Sequence, residues 1–353
     1  MNDTLVNFSN SFKRFRRTPA FTGFVLFLFA VILSVITQGF DFFSLKSLNT
    51  IFSKNAPLIL VAMAQGLLLI SGTLDISIGI QLALVNVIAI MVPQEWGVPI
   101  YAGWLLGILA AVAVSALCSF LVAVLRLPEL LASFSLIYII KGVNVMIMSS
   151  PQGKVPTEIY KAYDSLLGGV IPVSALIILA VFLFWLYLKR TRFGKHIYAV
   201  GINPRNAFAA GINPTATKIK SFLIKGVIVG IGGICLTLMT ASGNPLQAED
   251  YGLRSLAACI IGGLGFGGWG SLSCALFGAG FLVLIQNAAF FFFTKVLPGL
   301  IPGFIATSYW QNLMSDVIVF LGLMMTIVTS KGQREALKQV IVRQFKRGEK
   351  CVK

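Results

Sequence analysis

Long apolar runs separated by short polar segments dominate the chain. Runs that approach the roughly 20 residues needed to cross the hydrocarbon of a bilayer lie at 21–38, 55–72, 74–92, 101–125, 130–149, 170–188, 219–241, 271–293 and 310–330. A shorter, glycine-laden apolar run lies at 255–268. Lipid leaves every backbone polar group to be satisfied internally, and no alternating barrel pattern is present, so the runs predict helices. The sequence therefore predicts an all-α polytopic membrane protein of about ten transmembrane helices, with interrupted or re-entrant segments.

The composition is typical of a membrane protein, and this class determines how the positive net charge is interpreted. The 353 residues are 57% hydrophobic and 11% charged, against about 25% charged in soluble domains. Lys and Arg exceed Asp and Glu by 28 to 12, a net charge of +16. These bases lie at segment ends and in loops, where they orient a membrane protein and contact anionic lipid. We therefore expect a lipid membrane and no nucleic acid as partner.

The distribution of bases predicts the topology and the domain limits. Residues 1–18 form a basic N-terminus, residues 19–330 the transmembrane domain and residues 331–353 a basic tail, with both termini cytoplasmic. The connection 189–220 contains seven Lys or Arg and no Asp or Glu, so it is also predicted to be cytoplasmic. No small-residue cleavage site follows the first run, so we expect it to be retained.

Residue types that carry catalysis are sparse. Four of the five cysteines lie in apolar runs without metal-ligand spacing, and the single histidine, His196, lies in the basic connection. The glycine cluster 262–268 has no preceding strand and no following Gly-Lys-Ser/Thr, so it is not a phosphate-binding loop. We expect neither an enzyme nor a cofactor or metal bound by this chain.

The segment 71–79 places an ionisable carboxylate, Asp75, between two apolar runs. Such a group is costly at membrane depth and marks a candidate functional site. Gly72, Gly79 and Ser77 around it predict a break in which Asp75 either caps the following half-helix or contacts cargo. If capping is its role, Asp75→Asn should be milder than Asp75→Ala.

The later segment 262–271, also followed by an apolar run, forms a weak internal repeat with the first break. Paired glycine-interrupted segments indicate a transport pathway. The candidate residues of this pathway are Gly72, Asp75, Ser77, Gly79, Gln81, Asn86, Gly262, Gly263, Gly267, Gly268, Gly270 and Ser271.

Other polar residues in the apolar runs are expected to form interhelical hydrogen bonds. They include Gln65, Asn144, Gln286 and Asn287. Lys141 and Lys225 are costlier to bury, and each either snorkels or faces the protein interior.

Two near-copies of one motif, 201–204 and 211–214, lie in the basic connection, each reading Gly-Ile-Asn-Pro. Asn-Pro starts a helix or turn and Gly ends one, so the segment between them is predicted to be a short helix. It is either a plain connection or a docking element.

Four separated motifs carry a family resemblance. They are Gly72-x-x-Asp75-Ile76-Ser77-x-Gly79, the stretch from Thr191 to Asn203, Ala210-Gly211-Ile212, and the stretch from Ile261 to Ser271. In this order, over residues 50 to 330, they resemble the permease subunits of ribose-type ABC importers, which take up ribose, xylose, galactose, autoinducer-2 and similar polyols. Branched-chain amino-acid permeases usually carry an Asn-containing motif where this chain has Asp75-Ile76-Ser77, which favours sugar-like cargo.

The resemblance implies the partners. Two permease subunits, identical or homologous, would form the pore in a bacterial inner membrane. Two cytoplasmic ATPase subunits would bind ATP and Mg²⁺, and an extracytoplasmic sugar-binding protein would deliver cargo. The segment 204–211 would be the coupling helix in the ATPase cleft. The implied coupling residues are Gly201, Asn203, Pro204, Arg205, Asn206, Phe208 and Gly211.

Two alternatives remain open. A secondary transporter driven by protons or sodium would use Asp75 or Asp316 as its coupling site. A passive channel would be expected to show repeated charged or carbonyl filters, whereas this sequence has one Asp-bearing break.

Overall fold

The computed structural model describes residues 18–300 and scattered positions from 309 to 324. The predicted basic N-terminus and C-terminal tail lie outside the described residues, except for Thr18. Most of the predicted run 310–330 also lies outside them.

The described residues are almost entirely helical. The α-helices are α1 (Ala20–Gln38), α2 (Leu45–Ile70), α3 (Ile78–Trp96), α4 (Ile100–Ser119), α5 (Glu129–Ile147), α6 (Thr157–Tyr163), α7 (Val173–Arg190), α8 (Arg192–Ile202), α9 (Pro204–Ala209), α10 (Pro214–Thr240), α11 (Tyr251–Ile261), α12 (Leu272–Phe291) and α13 (Leu297–Leu300). A 3₁₀ turn, Gly39–Phe43, continues α1, and π-helical turns continue α4 and α12. Two strands of two residues each, β1 (Leu166–Leu167) and β2 (Ile171–Pro172), pair antiparallel in a minimal hairpin before α7.

Eight of these helical stretches are long and apolar enough to cross a membrane. They coincide with eight of the nine long runs predicted from the sequence, which confirms the all-α polytopic fold. The ninth run lies largely outside the described residues. The shorter run, 255–268, is helical only up to Ile261, within α11, whose 11 residues span only about 16 Å.

Two helices begin earlier than hydropathy predicts. Helix α2 starts at Leu45 rather than near 55, and α10 at Pro214 rather than near 219. The additional turns mix polar and apolar residues, and in α2 one of them is bonded to a loop because Asn49 Nδ2 donates to the Asp164 carbonyl at 2.6 Å. Hydropathy locates the hydrocarbon-embedded part of a helix, whereas the backbone hydrogen bonding continues past it.

Helix α2 is the centre of the bundle. It packs against α10 on one side and against α11 and α12 on the other. From Ala56 to its end at Ile70 every residue is buried. By contrast, only 28% of the apolar window of α1, α5 or α7 is buried, so these helices are peripheral. The C-terminal end of α2, where the first break begins, therefore lies deep within the protein.

Candidate functional site

The first break connects α2 to α3 through residues 71–77, and Asp75 is fully buried within it. Asp75 Oδ1 accepts the backbone N–H of Ser77 at 2.8 Å and the Ser77 hydroxyl at 2.6 Å. Ser77 is the residue immediately before α3. The carboxylate thus supports the start of the half-helix through one N–H, an arrangement that resembles the predicted cap.

A buried lysine faces the same carboxylate. Lys225 Nζ lies 2.7 Å from Asp75 Oδ2, and both side chains are 0% exposed. Gln81 joins the two, since its amide nitrogen donates to Asp75 Oδ2 at 3.2 Å and its oxygen accepts from Lys225 at 3.0 Å. Ser115 on α4 also donates to that oxygen at 3.3 Å. The break is therefore held by a hydrogen-bonded ion pair shared among α3, α4 and α10.

The sequence carries no local signal for this pairing, because the two residues are 150 positions apart. An indirect signal was present: single opposite charges in two different apolar runs are expected to find each other, since an unpaired charge at membrane depth is costly. The predicted site residues Asp75, Ser77 and Gln81 do come together, and Lys225 completes their group.

The second break, residues 262–271, meets the first. The N–H of Gly267 donates to the carbonyl of Leu69 at 3.1 Å, close to the end of α2. Gly267 has φ +78°, a conformation that favours glycine. The two halves of the predicted internal repeat are therefore both helix, break and helix, and their breaks are in direct contact.

Helix α8 packs closely against both breaks at Gly201. A Cβ at Gly201 would overlap the carbonyl of Ile70 and would lie 2.8 Å from the nitrogen of Gly268. Nearby, the Tyr198 hydroxyl donates to the Gly270 carbonyl at 3.2 Å. Burial raises the pKa of Tyr198 to about 12. The segment that precedes the predicted coupling helix thus packs against the two predicted pathway motifs.

Several predicted residues occupy other places. Asn86 bonds to Thr237 and to the Ser242 carbonyl at 3.0 Å, and its oxygen accepts the Asn244 N–H at 2.7 Å. It therefore ties α3 and α10 to the segment before α11. Gly79 lies against the backbone of that same segment, where a Cβ would come within 2.6 Å of the Ala248 carbonyl.

The remaining glycines of the second break serve close packing. The backbone of Gly262 approaches α12, and Gly263 approaches the carbonyl of Pro19. Ser271 caps α12 by accepting the N–H of Ser273 at 3.3 Å.

The basic connection contains the short helix that the sequence predicts, α9. Asn203 caps it by accepting the N–H groups of Arg205 and Asn206 at 2.9 and 3.1 Å. Gly211, with φ +80°, follows its end. Arg205, Asn206 and Phe208 are exposed, the last by 70%. An exposed aromatic ring on so short a helix is available for contact with another protein.

A cleft of about 1060 Å³ lies beside α9. Its lining includes Arg126, Glu129, Arg205, Phe208 and Lys218. Glu129 Oε2 also accepts the N–H of Leu74 at 3.0 Å, so the wall of the cleft reaches the first break.

Other charged candidates are paired at the edge of the bundle. Lys141 binds Glu249 at 2.9 Å with both side chains partly exposed, and Arg254 lies 4.0 Å from Asp316. Within the described part of the chain no group of three His, Cys, Asp or Glu residues could hold a metal ion.

Comparison with known proteins identifies the family. A family model described as the permease component of a branched-chain amino acid transport system matches residues 47–328. The chain belongs to this family. The match covers both breaks, the basic connection and the eight membrane-spanning helices except the first.

Curated relatives are named as permease proteins, one of them as part of an ABC transporter. The inner membrane ABC transporter permease protein YjfF of Escherichia coli is 28% identical over 81% of this chain and 92% of its own. The fructose import permease protein FrcC of Rhizobium meliloti is 28% identical over 74% and 76%. The autoinducer 2 import system permease protein LsrC of Shigella flexneri is 29% identical over 74% and 77%. No solved structure matches the chain. The permease is thus a multi-pass inner membrane protein and a transport subunit of the ABC class.

Proposed function

We propose that the permease imports a small sugar or sugar-like solute by alternating access, driven by a partner ATPase. The cargo class is supported by relatives named for fructose and autoinducer-2 import. The observation that carries the mechanism is the exposed helix α9, whose neighbour α8 packs through Gly201 against both breaks. A force applied at α9 has a short, close-packed route to the segments that interrupt the membrane helices.

In this proposal the ATPase receives α9 in a cleft and itself binds ATP and Mg²⁺. Closure of the two ATPase subunits displaces α9 together with α8 and the start of α10. Because packed interfaces adopt discrete arrangements rather than deforming continuously, the displacement switches the packing around the breaks. The outward and inward openings of the pathway alternate as a result.

The proposal includes the remaining components of the importer. A second permease subunit, identical or homologous, completes the pathway, and an extracytoplasmic binding protein delivers the solute. Residues 189–220 and both termini lie in the cytoplasm, in agreement with the excess of bases there. The transmembrane domain is assigned to residues 19–330.

The docking of α9 is tested by replacing its outward side chains. Arg205→Ala and Phe208→Ala should each weaken ATPase association, since both side chains are exposed and so accessible to a partner. Co-purification of the ATPase with the tagged permease measures this. Lys161→Ala on α6, exposed and outside the connection, is the control. Unchanged association and transport in the double variant Arg205→Ala/Phe208→Ala would refute the docking role.

The driving force and the cargo need separate tests. Uptake into vesicles should require ATP and the ATPase, whereas uptake that follows an ion gradient without them would favour an ion-coupled carrier. For the cargo, the extracytoplasmic binding protein of the importer should be titrated with a panel of pentoses, hexoses and branched-chain amino acids in a calorimeter. Binding of an amino acid and of no sugar would overturn the proposed cargo class.

A further inference from the structure

Two lysines of α10 connect this helix to the first break, one directly and one through Glu129. Lys225 contacts Asp75 directly at 2.7 Å. Nearer the start of the helix, Lys218 Nζ lies 3.8 Å from Glu129 Oε1, and Glu129 Oε2 accepts the N–H of Leu74 at 3.0 Å. The two contacts therefore end on adjacent residues of the break.

The spacing places both lysines on one side of the helix. Lys218 and Lys225 are seven residues apart, which is close to two turns and about 10.5 Å along the axis. Glu129, the first residue of α5, fills the gap between Lys218 and the break. One helix thus holds the break both directly and through a neighbouring helix.

Two backbone N–H groups of the break bond to side-chain carboxylates. The N–H of Leu74 is taken by the Glu129 carboxylate and the N–H of Ser77 by the Asp75 carboxylate. Each carboxylate in turn faces a lysine of α10. A segment held in this way moves with the helix that carries the lysines.

Stability alone does not account for a buried ion pair at this place. Desolvation of two charges offsets most of their attraction, and well-packed apolar residues often stabilise a protein equally well. What the pair does supply is a fixed register between two elements, because a shift by one turn would leave both charges buried and unpaired.

We propose that Lys218, Glu129 and Lys225 are positioning residues that make the first break follow the movement of α10. Together with Asp75 they form a two-point clamp. The inference rests on the proposed function, because it takes α9 as the element that the ATPase displaces. Residues 210–213 alone separate α9 from α10, so the first turns of α10, where Lys218 lies, move with α9.

The test uses the complete importer, with permease, ATPase and binding protein, in proteoliposomes. The readout is the ratio of solute transported to ATP hydrolysed, together with the ATPase rate stimulated by the binding protein. Glu129→Leu should lower this ratio about fivefold to tenfold while stimulated hydrolysis continues, because residues away from both sites can alter the coupling; this fold-change corresponds to about 1–1.4 kcal/mol. The Lys218–Glu129 contact is partly exposed, with side chains 21% and 25% accessible, so these variants are expected to fold.

Conservative variants separate positioning from simple packing. Glu129→Gln keeps an acceptor for the Leu74 N–H and should give an intermediate ratio. Lys225→Arg should retain more coupling than Lys225→Met, since it keeps the charge opposite Asp75. Lys220→Met, an exposed lysine on the opposite side of α10, is the matched control and should leave the ratio unchanged.

Two results would overturn the clamp. One is a wild-type ratio in Glu129→Leu, and the other is an equal loss of transport and hydrolysis in that variant, which indicates a structural role only. Both presuppose ATP-driven uptake by the wild-type complex, so they are distinct from failure of the proposed function. ATP-independent uptake by the wild-type complex would refute both the proposed function and the clamp.

Discussion

Removing one member of the buried ion pair should destabilise the permease far more than removing both. Asp75 and Lys225 are each 0% exposed and 2.7 Å apart. Lys225→Met leaves the Asp75 carboxylate buried without its counter-charge, although the Ser77 and Gln81 donors remain. Breaking a buried pair in this way costs about 3–5 kcal/mol, whereas replacing both partners by apolar groups is often close to neutral.

The measurement is a double-mutant cycle on the free energy of unfolding in mixed micelles titrated with denaturing detergent. The variants are Asp75→Leu, Lys225→Met and the double variant. We expect the double variant to be less destabilised than either single variant, so it should recover at least about 3–5 kcal/mol of the summed single losses. Lys141→Met, which removes a partly exposed pair with Glu249, is the control and should change stability by less than about 1 kcal/mol. Single losses that simply add would refute the argument, since they would mean that the two charges do not compensate each other.

Three further predictions follow from the contacts around the site. Gly201→Ala should cost at least about 1–3 kcal/mol, because its Cβ would overlap the carbonyl of Ile70; normal yield and thermal stability of the purified variant would contradict this. Asn203→Ala should destabilise α9 by about 1 kcal/mol through loss of its cap, whereas Asn203→Asp should not. Amide hydrogens of α9 should therefore exchange faster in the alanine variant, and slower exchange would contradict the prediction. Tyr198, whose pKa burial raises to about 12, contributes nothing to pH dependence below the unfolded pKa of about 10. Between pH of about 10 and about 12 the permease loses stability as the pH rises, because Tyr198 ionises first in the unfolded state. Tyrosinate absorbance should therefore lose a component that titrates near pH 12 in Tyr198→Phe, and an unchanged titration would refute the assignment.

The fold was largely predictable because its main determinant is local. Each spanning helix appears as a continuous apolar run, and lipid leaves the backbone no other regular structure. The first turns of α2 were not predictable from hydropathy, because they extend beyond the apolar run. One of them bonds to a distant loop at Asp164. The short helix α9 was predictable for a different reason, since Asn203-Pro204 and Gly211 are residue types that start and end helices.

The site was predictable only in part. The break, its glycines and the half-helix supported by Asp75 follow from one stretch of sequence. The ionic partner does not, because Lys225 comes from another run and its pairing depends on how α10 packs. The pair also changes one expectation: Asp75→Asn keeps an acceptor for Ser77, but it leaves the Lys225 ammonium buried without a counter-charge. We now expect Asp75→Asn to be almost as damaging as Asp75→Ala.

The separation of the two charges along the chain has a consequence for biosynthesis. Asp75 emerges from the ribosome 150 residues before Lys225. At about 5–20 residues per second, the acid waits about 8 to 30 seconds for its partner. During that interval the break before α3 carries an unpaired carboxylate, which disfavours stable insertion of this region into lipid. The segment around Asp75 must therefore remain hydrated, or held by the insertion machinery, until α10 arrives. The N-terminal third of the permease becomes a finished membrane structure only when the middle of the chain has been made.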